Sequence, residues 1–165
     1  MMRRLSRLAS DRSGSSAAEM AMALPLLMIL LVGTFELGNY FLAEHVVQKS
    51  VRDAARYAAR LPMASYPSCV PTAAAETEIQ KVARTGRPDG TVQRLQGWTA
   101  DNMTTITVTC DTSGTYTGIY SDFAEGVPTI TIAASVPYPS LFGTLGFGAV
   151  SLTLNARSQS AVFGA

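Results

Sequence analysis

The chain has 165 residues, enough for one modest domain plus an anchor. Its formal charge is +1 with only 15% charged residues, a balance that gives no reason to expect a nucleic-acid partner. An apolar content of 47% is high for a water-soluble domain, and the excess sits near the N-terminus.

Residues 1–14 read as a basic leader. Arg3, Arg4, Arg7 and Arg12 are opposed only by Asp11, a net +3 that leaves −2 for the remainder. Residues 20–35, MAMALPLLMILLVGTF, carry no charge. Extended back through Ala17, the run makes about 28 Å of helix, enough to cross the hydrocarbon core of a bilayer. A buried helix of a soluble protein is a poor account of so long a run so close to the terminus. Glu36 and Glu44 follow it, so the charge asymmetry predicts a cytoplasmic N-terminus and an exported C-terminal part. A cleaved secretory signal fits less well. The run is long for its apolar region, and no small-x-small cleavage site with a turn follows.

The chain continues as helix instead. Val47, Val51, Ala54, Ala55, Ala58 and Leu61 recur at helical spacing and form one apolar face. Pro62 closes the segment, so a single transmembrane and amphipathic helix is expected over residues 15–62. Pro25 removes one internal hydrogen bond from it.

Residues 63–165 read as a small exported α+β head. Thr72 can cap a second helix with Glu76 and Glu78 early, Lys81 and Arg84 late, and Gly86 as the stop. Its buried stripe would be Ala75, Ile79, Val82 and Ala83. After the turn at Pro88, Asp89 and Gly90 the period changes from 3.6 to 2. Residues 104–110, 129–136 and 152–162 alternate apolar and polar side chains, and short links favour an antiparallel meander. A weaker strand is expected over residues 91–96, and an apolar Gly-rich loop over residues 141–147. The fold class is therefore α+β: a long N-terminal helix, a short second helix and a small antiparallel sheet.

Sites for chemistry are scarce. Cys69 and Cys110 both fall in the exported part, where an even count favours a disulfide. A pair of buried free thiols is the other reading, because Cys110 lies on the core face of its strand. His45 is the single histidine and reads as a surface or interface residue. Asp111, Thr112, Ser113, Gly114 and Thr115 have the D-x-S-x-[ST] form of a hard-cation site. That site belongs to a long parallel sheet, which the hairpin-like remainder does not supply, so the stretch reads as a turn. Arg52, Arg56 and Arg60 form a like-charged row, either a solvated face or a contact for acidic surface on a neighbour. No metal, cofactor or enzymatic activity is expected.

The most specific signal is at the junction. Gly14, Ser15, Ser16, Ala17, Ala18 and Glu19 directly abut the apolar run. A carboxylate there is costly, up to about 2.5–3.5 kcal/mol at a bilayer centre, so a positive partner is expected. This pattern resembles the processing site of type IV pilin-like precursors. The longer stretch is similar to the TadE-like minor pilins (pseudopilins) of the tight-adherence pilus. The likeness rests on Ala18, Glu19, Ala21, Leu24 and Pro25, then Glu36 and Gly38, then the run from Arg52 to Ala58. The resemblance implies cleavage by a membrane prepilin peptidase between Gly14 and Ser15. It also implies that Glu19 docks the subunit against other pilins and minor pilins, in pilus assembly and surface adhesion. The expected location is the bacterial inner membrane, single-pass, with the head in the periplasm. The competing function is that of a permanently anchored periplasmic binding protein.

Overall fold

The computed structural model describes residues 14–99, 103–112, 116–121, 126–144 and 151–164. The basic leader, Ser113 to Thr115 of the cation-like motif, and Phe147 of the apolar loop lie outside these described residues.

Helix α1, Ser15–Arg60, runs 46 residues and continues through Pro25. It contributes to two compact units, residues 1–38 and residues 39–165. In the first unit none of the described side chains is buried. In the second, α1 buries Ala43, Val47, Val51, Ala54, Ala55 and Ala58. Four of these six are alanines, and such small side chains let the layer packed on this face come close.

A pair of short 3-10 turns, Met63–Ser65 and Pro67–Cys69, follows the helix. Helix α2, Ala73–Thr85, has the expected caps. Thr72 Oγ1 accepts from the Ala75 amide, and Gly86 closes the helix in the left-handed region at φ 86°. There its amide donates to the Val82 carbonyl at 2.7 Å, as a glycine stop requires. Ala75, Ile79, Val82 and Ala83 form the buried stripe.

Strands β1, Thr104–Asp111, β2, Val127–Pro137, and β3, Thr153–Ala161, make an antiparallel sheet in the order β1-β2-β3. Thr104 pairs with Ala134 and Asp111 with Val127; Thr129 pairs with Ala161 and Pro137 with Thr153. Ile130, Ile132, Val136 and Leu154 enter one core with the α1 alanines, Ile79, Val82 and Trp98. Each fully buried aliphatic side chain of this kind is worth about 1.5–3 kcal/mol.

The structure corrects two expectations. Residues 91–96 form bends rather than a strand, because Val92 is exposed and nothing sustains an alternation. Leu95 and Trp98 instead enter the core three residues apart, and the Arg94 amide donates to the Arg84 carbonyl at 2.9 Å. The apolar stretch after Pro139 begins as a short helical turn, α3, Leu141–Thr144, and not as open loop.

The end of α1 is closed by the C-terminal segment. Both the Phe163 and Gly164 amides donate to the Ala59 carbonyl, at 2.9 and 3.1 Å. Pro62 and Gly164 form a parallel bridge beside it. Last-turn carbonyls of a helix lack intrahelical donors, and these amides supply one.

Candidate functional site

Gly14 immediately precedes the first residue of α1, and a Cβ added there would meet nothing within 4 Å. Ser15, Glu19 and Gly14 are all exposed. The four-residue spacing brings Ser15 and Glu19 onto one helix face. There the Ser15 hydroxyl donates to Glu19 Oε1 at 3.3 Å. The arginines expected to set orientation lie outside the described residues.

Beyond Glu19 the helix presents apolar side chains outward. Met22 is 83% exposed, Ile29 69% and Leu30 58%. Met20, Leu24, Leu26, Leu27, Met28 and Leu31 are exposed as well. Water does not tolerate a continuous apolar surface of this size, so the segment calls for lipid or other helices around it. By length and composition it is the chain's one candidate membrane span among the described residues.

Polar residues mark where this apolar character changes. The Asn39 side chain donates to Tyr138 Oη at 2.9 Å and to the Pro139 carbonyl at 3.1 Å. The pair was not among the sequence expectations, since its members are 99 residues apart. Farther along, Tyr57 donates to Glu78 Oε2 at 2.9 Å, joining α1 to α2. Desolvation, then the Glu78 carboxylate, raises the Tyr57 pKa.

Cys69 and Cys110 are joined by a disulfide with Cα atoms 5.9 Å apart, which ties the turn after α1 to β1. Ser68 and Cys69 both adopt positive φ there, 51° and 61°. His45, Arg52, Arg56 and Arg60 are exposed on α1. Arg52 Nε donates to the Gln48 carbonyl of its own helix at 3.3 Å. Among the described residues no three His, Cys, Asp or Glu side chains gather where they could hold a metal ion. Asp111 ends β1, exposed, and its backbone carbonyl accepts from the Tyr116 hydroxyl at 2.7 Å.

A long helix with exposed apolar side chains thus precedes an α+β head. The family model described as TadE-like protein matches residues 14–56. The match begins at the proposed cleavage glycine and ends within the buried half of α1, leaving the sheet outside it. Neither curated proteins nor solved structures give a match to the chain.

Proposed function

We propose that this chain is a minor pilin, or pseudopilin, of a tight-adherence type IV pilus. A prepilin peptidase cuts it between Gly14 and Ser15 on the cytoplasmic side of the bacterial inner membrane. The mature subunit stays anchored by α1, with its head in the periplasm, until it associates with other pilins and minor pilins. It serves pilus assembly and, through the pilus, surface adhesion. The observation that carries this reading is the TadE-like match over residues 14–56, which starts at Gly14 and covers the outward-facing apolar helix.

The chemistry at the junction is consistent with that role. Glycine gives the peptidase a backbone without a side chain at the cut. Cleavage would leave a new ammonium on Ser15, the residue whose hydroxyl already donates to Glu19. In a low-dielectric surrounding an ammonium–carboxylate pair is far stronger than in water, so Glu19 can accept the amine of its own chain or of a neighbour. Exchange of the first for the second is a docking step that needs no other charged group.

The test is Glu19→Ala in cells that make the pilus. The variant is expected to be cleaved and inserted normally while its incorporation with other pilins drops severalfold. Normal incorporation of the variant would remove the docking role.

A further inference from the structure

One face of α1 carries a row of cations. Leu42, His45, Lys49, Arg52 and Arg56 follow one another at 3, 4, 3 and 4 residues, and Arg60 stands one turn further on. That alternation keeps side chains on one line of a helix and is the spacing with which one helix faces another. All six are exposed, and all belong to the unit of residues 39–165. Val47, Val51, Ala54 and Ala58 enter the core, each two residues from a member of the row, so the row lies on the opposite side of α1. Among the described residues none of Lys49, Arg52, Arg56 and Arg60 pairs with a carboxylate. Asp53, four residues from Lys49, is held by Arg94 at 2.8 Å, and Glu44 accepts from Gln48 at 3.1 Å. Arg52, Arg56 and Arg60 are like charges at four-residue steps, which repel on a free helix.

We propose that this face is the docking seam for an acidic helix of a different subunit, with carboxylates at the same alternating spacing. The inference rests on the assembly reading above and names the chemistry of the partner. Charge complementarity selects the occupant. A second copy set along the same face would bring cation against cation, which an interface does not tolerate. Nor does the described surface of this chain offer a matching acidic row. The carboxylates of α1, Glu19, Glu36, Glu44 and Asp53, are at least eight residues apart. Glu76 and Glu78, two residues apart on α2, lie on different sides of it and accept from Gln80 and Tyr57. Asp89 and Asp111 are exposed in a turn and at the end of β1. A uniformly anionic polymer fits less well, because the row opens on Leu42, which is 68% exposed and calls for an apolar group opposite it. A helix meets both demands, with one apolar residue followed by carboxylates three and four residues apart. Such a partner relieves the repulsion within the row, and a partner of like sign adds to it.

Photocrosslinking in cells that assemble the pilus tests this on the full chain. Arg60→benzoylphenylalanine places the probe at the end of the row and leaves Leu42 to Arg56 in place, and joined peptides are identified by mass spectrometry. Met22→benzoylphenylalanine, at a side chain 83% exposed in the apolar half of α1, is the control for assembly as such. The Arg60 probe is expected to join a helix of another pilin subunit that carries carboxylates three or four residues apart. Adding Arg52→Glu and Arg56→Glu should cut that yield by about fivefold or more. Changing the facing carboxylates of the partner to lysine should then restore it. A product with a second copy of this chain overturns the inference, as does a lipid adduct, which would make an anionic membrane the occupant. A yield indifferent to charge reversal, or a loss that reversal in the partner does not restore, overturns it too. Joining of the Met22 probe to other pilins without any from the Arg60 probe overturns the seam and leaves the pilin reading standing. Silence of both probes overturns the pilin reading and this inference with it.

Discussion

Arg94 reaches across from an irregular segment to Asp53 of α1, with Nη1 2.8 Å from Oδ2. The same guanidinium nitrogen lies 3.3 Å from Ser50 Oγ. Both ionic side chains are 29% exposed, so water screens the pair only in part. This contact holds residues 91–96 on the helix where a strand would have been held by a ladder.

Asp53→Asn is accordingly expected to lower the unfolding free energy by about 0.5–1 kcal/mol, as partly exposed ion pairs do. Urea titration at low and high salt checks it. The difference between parent and variant is expected to shrink as salt rises. A difference that ignores salt would mean the pair contributes through packing alone.

How much of this was legible in the sequence follows from the range of the interactions. Thr72, Gly86 and the α2 stripe were readable because caps and helical periodicity act over a few residues. The three strands were readable from alternation, and their ends moved by only one or two residues. The segment around Arg94 was not, since its partners Ser50 and Asp53 are more than 40 residues away. The Asn39–Tyr138 bond spans 99 residues and carries no local pattern at all. At the junction, Gly14 and Glu19 stood out by spacing, whereas the Ser15–Glu19 hydrogen bond needed the helix start to be fixed.

The disulfide spans 41 residues. In the chain-entropy account a loop of that size stabilises the folded state by about 3–4 kcal/mol. Cys69→Ala with Cys110→Ala is expected to lower the thermal midpoint of the head by many degrees. Reduction of the parent should reproduce most of that loss. Midpoints unchanged by either treatment would show that the bridge adds nothing to the head.

Tyr66 ties the turn after α1 back to the helix, its hydroxyl donating to the Ala58 carbonyl at 2.7 Å. Burial, with the neighbouring Tyr57, raises its pKa above the ordinary tyrosine value of 10.0. A raised folded-state value means that the contribution is complete below about pH 10. It is then lost as pH rises further, because the unfolded chain ionises first. Tyr66→Phe is expected to cost about 1 kcal/mol near neutral pH. Denaturant midpoints measured across the alkaline range check the sign: the gap between parent and variant should narrow above about pH 10. A gap that stays constant would contradict the assignment.

The central claim, a pilin-like precursor processed at the start of α1, is tested most directly by the mature N-terminus. The measurement is the intact mass of the subunit purified from membranes of cells that contain the prepilin peptidase. The account predicts a chain that begins at Ser15. It also predicts that Gly14→Leu, at a position where an added Cβ meets nothing within 4 Å, leaves the precursor uncut. A subunit that retains residues 1–14 in the presence of active peptidase would contradict the account and favour a permanent anchor.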